Sequence, residues 1–142
     1  MTEKDVNRQF LKAALIKQIY NCCDKPYYKA GILISNKDKT KLIDGVLSAI
    51  ISRHFSKRLK QRRYTVSDYE LKFDNGSSFK IVLGTSTARG NRYNDLLIDK
   101  ELNNEVRFDI GYAKIIPYFK DINTLETDDN NPEERVVVLK VE

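Results

Sequence analysis

The chain has 142 residues, of which 41% are apolar, 32% charged and 10% aromatic, with a formal charge of +5. This composition suits one soluble domain with its own core and excludes wholesale disorder, and no apolar run nears the roughly 18 to 20 residues of a membrane span. Met1–Asp5 is acidic and lacks the apolar segment of a signal peptide, and the only cysteines, Cys22 and Cys23, are neighbours in sequence, so a reducing, cytoplasmic setting is expected.

The elements are predicted in chain order. Over residues 4–21, Leu11, Leu15, Ile19 and Cys22 recur at helical spacing with Phe10 and Ala14 beside them, and Lys25-Pro26 ends the helix. Ala30–Ser35 is apolar without alternation, the pattern of a strand buried on both faces. Asn36 or Asp38 caps a second helix over about 38–60, with Ile43, Val46, Leu47, Ile50 and His54 on its apolar face. A hairpin spans 67–83, where Tyr69, Leu71 and Phe73 alternate, Asp74-Asn75-Gly76-Ser77 turns, and Phe79, Ile81 and Leu83 return. Gly84–Asn94 is a polar loop leading to a short buried strand, Leu96-Leu97-Ile98, that ends in Asp99. Residues 104–119 fit a strand or a helix equally well; 121–134 reads as an acidic loop, and 135–140 as a last strand.

Charge is polarised along the chain. Residues 37–63 hold nine Lys/Arg against Asp38 and Asp44, whereas 121–134 holds six acids and no Lys or Arg. Arg53, Lys57, Arg58, Lys60, Arg62 and Arg63 are the candidate phosphate contacts of a nucleic-acid surface; the plainer alternative is a solvated helix end. The single histidine, His54, reads as a packed core or boundary residue, and one histidine with adjacent cysteines cannot build a zinc site within one chain.

The buried strand ending in Asp99 is the strongest chemical signal. A parallel strand delivers its terminal carboxylate to the sheet edge where ligands bind, and in phosphoryl-transfer enzymes such a carboxylate serves magnesium. A phosphate-cradling G-x-x-x-x-G-K-[ST] loop is missing, because none of the six glycines precedes a lysine.

In order along the chain, Ala30–Ser35, the basic helix, Tyr69-Glu70-Leu71-Lys72-Phe73-Asp74-Asn75-Gly76-Ser77-Ser78, Thr85–Arg92 and Asp95–Asp99 resemble the ATPase domain of the large terminase subunit of tailed phages, over about residues 28–140. The resemblance rests on an "ELDNGS" hairpin, an "ARG" loop and a "LLIDE" strand. It implies an α/β, RecA-like three-layer αβα domain with a mostly parallel sheet and a β-hairpin insertion at 67–83, incomplete without its P-loop. It further implies Asp99 as the magnesium-holding acid and Arg89, Gly90 and Arg92 as a nucleotide-loop-like segment. Lys100 stands where the catalytic Glu belongs, leaving Glu101 as the shifted substitute. The chain ends at Lys140-Val141-Glu142, where the family's nuclease domain would begin, so no nuclease is expected.

The expected function is therefore a terminase-like DNA-packaging fragment or degenerate relative. It would be inactive alone as an ATPase, would engage double-stranded DNA, and would use Mg-ATP only with a P-loop-bearing partner. The host would be a phage-infected or prophage-carrying cell. The alternatives are a non-enzymatic nucleic-acid-binding accessory protein and an interaction or inhibitor module that uses the acidic loop 121–134.

Overall fold

The computed structural model of the chain describes residues 1–84, 93–102, 119–121, 126–127 and 135–142. Helix α1 (Glu3–Asp24) opens with a capping box: the Thr2 hydroxyl accepts from the Asp5 N–H, and the Asp5 carboxylate accepts from the Thr2 N–H. It stops at Lys25, where Pro26 forbids a further helical residue. Leu11, Leu15, Ile19 and Cys22 form its buried stripe as the periodicity predicts, but Phe10 lies off that stripe and is 66% exposed.

Six strands make one sheet: β1 (Lys29–Ile34), β2 (Leu59–Tyr64), β3 (Tyr69–Phe73), β4 (Ser78–Leu83), β5 (Asp95–Asp99) and β8 (Arg135–Leu139), in the order β2-β3-β4-β1-β5-β8. Only β3 runs against the others, so the sheet is mixed but mostly parallel. A separate two-stranded ladder joins β6 (Phe119–Asp121) to β7 (Glu126–Thr127). Asp121 and Glu126 thus sit in strands inside the segment read as an acidic loop; 122–125 and 128–134 lie outside the described residues, as do 104–118 of the ambiguous segment.

Helices α1 and α2 (Lys39–Ile50) pack on the same face. Leu15, Ile19, Ile43 and Leu47 share one core with Ala30, Ile32 and Ile34 of β1 and with Leu71, Phe79 and Leu97. Leu33, Leu96 and Ile98 point to the other face and are also buried, which is why β1 and β5 read as unbroken apolar runs.

Three expectations need correction. The helix predicted over 38–60 ends early. Asp38 is its N-cap but makes no side-chain cap, and its N–H instead binds the Asn36 side chain. At Ile51, itself buried in the core, the coil widens into a π turn (Ile51–Phe55), and the inward-facing positions run through Ile50, Ile51 and Phe55. Phe55 therefore packs against the core, while His54 turns out to solvent, contrary to its expected apolar placement. Residues 59–64, read as the basic end of that helix, form the edge strand β2, where charged residues suit an exposed sheet margin. Finally, the 67–83 hairpin is no insertion: β4 pairs in parallel with β1 along its whole length, so the hairpin belongs to the central sheet.

The hairpin turn also closes the first crossover. Asn75 Nδ2 donates to the carbonyls of Cys22 at 2.8 Å, Cys23 at 3.4 Å and Lys25 at 3.2 Å, satisfying orphan acceptors at the end of α1. Ser77 Oγ donates to Lys25 O at 2.6 Å and accepts from Tyr28 N–H at 2.9 Å. Gly76 sits between them at φ +85°, with the Tyr27 ring 2.7 Å from where a Cβ would stand. The Asn-Gly-Ser triplet is thus a structural clamp. Asn75→Ala should lower unfolding stability by about 1–3 kcal/mol in urea titration; an unchanged midpoint would show that the clamp contributes nothing.

Candidate functional site

Strands β1 and β5 are parallel neighbours, so their carboxyl ends emerge side by side. Ser35 follows β1 directly, Asp99 ends β5, and Lys39 opens α2. The fully buried Asp99 carboxylate gathers all three elements. Its Oδ2 accepts from the Ser35 N–H at 2.9 Å, the Ser35 hydroxyl at 2.7 Å and Lys39 Nζ at 2.8 Å, and its Oδ1 accepts from the Glu101 N–H at 3.0 Å. Lys39 Nζ also reaches Glu101 Oε2 at 2.8 Å, so one ammonium bridges both acids.

Burial pushes the Asp99 carboxyl up, but the Lys39 and Ser35 hydrogen bonds and the backbone N–H donors outweigh it and hold the group below the usual carboxylate range. For Lys39 burial works downward, and the bonds to Asp99 and Glu101 win, keeping the amine charged above its ordinary value. Asp99 and Glu101 thus share one ammonium, the buried acid and the exposed one meeting at Lys39 Nζ. Lys100 is not with them; it is exposed and lines a groove between α1 and β8.

A magnesium ion on Asp99 does not fit this arrangement. Every donor to Oδ2 is already a protein N–H, O–H or ammonium, and Lys39 supplies the positive charge a metal would bring. Among the described residues no group of three or more His, Cys, Asp or Glu converges on a metal position. The nucleotide-loop-like residues Arg89, Gly90 and Arg92 lie outside the described residues; Gly84, just before that loop, binds Ile34 O at the same sheet edge. Sequence reasoning missed Ser35 and Lys39. The available signal was a hydroxyl directly after a buried strand and a lysine in the first turn of the next helix.

The basic residues do not form one surface. Arg58 is committed to the fold: its Nε lies 2.9 Å from both oxygens of Asp74, and its Nη2 donates to Cys23 O at 2.9 Å. Arg62 pairs with Asp44 at 2.7 and 2.8 Å and lies over the Tyr64 ring, while the Tyr69 hydroxyl donates to the same Asp44. Alternation along β2 puts Arg62 on the helix side, whereas Arg63 faces the opposite side near Lys37, Glu70 and Lys80. Arg53 and Lys57 border a groove of about 550 Å³ at the end of α1, with Tyr20 and His54 beside them. Arg53, Lys57, Lys60 and Arg63 are exposed and carry no ion pair among the described residues. The two cysteines are free and buried, and burial pushes both thiols up, away from nucleophilic use. No described helix is long and apolar enough to cross a membrane.

No protein-family model matches this sequence, and no curated protein matches it.

Lys39→Ala strands a buried carboxylate and should cost roughly 3 kcal/mol at pH 7, whereas Glu101→Gln, at an exposed position, should cost under about 1 kcal/mol. Because the folded Asp99 is more acidic than its unfolded form, its stabilisation is complete above about pH 4 and is lost as pH falls through the depressed folded value. Asp99→Asn should therefore flatten the acid limb of a Tm-against-pH curve, and an unaltered acid limb would contradict the assignment.

Proposed function

We propose that the chain is a terminase-like, RecA-like module of a DNA-packaging apparatus that does not hydrolyse nucleotide by itself and contributes a DNA-contacting surface. The observation that carries this reading is the Lys39–Asp99 pair. The acidic strand end stands at the carboxyl edge of parallel strands, where ligands of open α/β sheets bind, yet an internal ammonium takes the place of a metal. The sequence contains no phosphate-cradling loop and Lys100 lines a different groove, which supports a non-hydrolysing role for this edge. Mg-ATP enters only with a P-loop-bearing polypeptide, in the cytoplasm of a phage-infected or prophage-carrying cell.

The second reading, a nucleic-acid-binding accessory that keeps only the scaffold, is favoured by Arg53, Lys57 and Lys60, which are exposed and carry no ion pair among the described residues. The two readings share one DNA surface. Arg53 and Lys57, with Tyr20 alongside, form its densest part, and their contacts to phosphates position a duplex without reading its sequence.

Fluorescence anisotropy with a labelled duplex checks this directly. With about three phosphates neutralised, log K should fall against log salt with a slope of about −3. The double reversal Arg53→Glu/Lys57→Glu should abolish binding while leaving the fold intact, since both side chains are exposed and neither bonds to another described residue. Binding that ignores salt or the reversal contradicts the DNA surface. Steady Mg-ATP turnover by the chain alone contradicts the non-hydrolysing assignment.

A further inference from the structure

Asn75 is the one asparagine in the sequence that a glycine follows. In such a pair the backbone nitrogen of the glycine can attack the side-chain amide carbon, because the glycine has no Cβ to stand in the way. The pair lies where the last turn of α1, the chain leading into β1 and the β3–β4 turn meet, and the atoms that would react are the atoms of the Asn75–Ser77 clamp.

Each of those atoms is engaged. Asn75 Nδ2, the leaving group, donates to the carbonyls of Cys22, Cys23 and Lys25. Its Oδ1, on the carbon that would be attacked, accepts from the Ser77 N–H at 3.1 Å. The Gly76 N–H, source of the nucleophile, donates to Phe73 O at 3.3 Å. Tyr27 closes the corner: its N–H donates to Asn75 O at 3.3 Å, and its ring lies against Gly76. Tyr27 holds φ at +56°, a left-handed conformation that a bulky residue adopts only where its contacts impose it.

We propose that Asn75 is a deamidation site that the folded clamp holds shut, and that its reaction, once the clamp opens, releases the end of α1 from the hairpin permanently. The Gly76 nitrogen bonds to Asn75 Cγ, the Cγ–Nδ2 bond breaks, and the Gly76 proton leaves with the departing nitrogen as ammonia. Water then opens the resulting succinimide at either carbonyl, giving aspartate or isoaspartate at position 75. Neither product rebuilds the clamp. The new carboxylate has no proton to donate and faces carbonyl oxygens that need one. Isoaspartate also adds a main-chain atom inside the turn that the Phe73 N–H closes on Ser77 O at 2.9 Å. The change reaches Arg58, which pairs with Asp74 next to the site and donates to the Cys23 carbonyl that the clamp shares. The proposal stands on the clamp and is independent of the DNA-packaging reading.

The full chain is incubated at mildly alkaline pH, folded or in strong urea, and conversion at position 75 is followed by mass spectrometry, with aspartate and isoaspartate separated by peptide mapping. Deamidation is slow against local opening, so the folded rate follows the fraction of molecules with the clamp open, and it is expected to be at least about tenfold below the unfolded rate. Ser77→Ala removes the bonds to Lys25 O and Tyr28 N–H and should raise the folded rate severalfold. Urea below the unfolding midpoint should raise the wild-type rate as well, which keeps the test intact if the variant does not fold. After conversion, the Tyr27 and Tyr28 amides should exchange faster. Equal rates in the folded and unfolded chain, a wild-type rate indifferent to sub-denaturing urea, or unchanged exchange at Tyr28 after conversion would overturn the proposal.

Discussion

The Asp99 carboxylate is the point on which the rest of the structure turns. It ends the inner strand β5, receives both the N–H and the hydroxyl of Ser35, the residue after β1, and holds the lysine that begins α2. A buried carboxylate without such donors would cost several kcal/mol and would protonate instead. The donors exist only if β1 and β5 lie parallel and in register and α2 starts directly above them. Sheet order, the β1-to-α2 turn and the charge state of the edge are thus consequences of one site being satisfied.

The other end of β5 is fastened by a different device. The buried Gln18 amide donates to Gly31 O, Asp95 O and Asp95 Oδ1 at 2.9, 3.1 and 3.2 Å, and the Tyr28 hydroxyl reaches Asp95 Oδ2 at 3.4 Å. Helix α1 is thereby pinned across β1 and β5, while the Asn75–Ser77 clamp ties its last turn to the hairpin. Gly31, midway along β1, lets the Tyr93 ring lie within 2.6 Å of the position a Cβ would take, so the face away from the helices closes tightly too.

Much of this was legible in the sequence for definite physical reasons. Unbroken apolar runs marked β1 and β5, period-two alternation around Asn-Gly marked the β3–β4 hairpin, and helical spacing marked α1. The π turn was not legible, because one extra residue in a helical turn leaves composition and spacing almost unchanged; it moved His54 outward and Phe55 inward. Strand β2 was missed because Lys60, Arg62 and Arg63 mask its alternation, although Thr65 and Asp68, whose mutual bonds make the next turn, were a usable stop signal. The Asp99 site was half legible: the acid at the strand end was visible. The lysine that neutralises it lies 60 positions earlier in the chain, and only the fold brings the two together.

Lys39 is the cation paired with Asp99 at this sheet edge, in the place a metal ion would take. The most direct measurement is the carbon-13 carboxyl resonance of Asp99 followed by NMR as magnesium is added at neutral pH. The resonance is expected to stay at its ionised position and not to respond to magnesium, while the Lys39 ammonium remains bound. A saturable magnesium-dependent shift of Asp99 with release of Lys39 would contradict it.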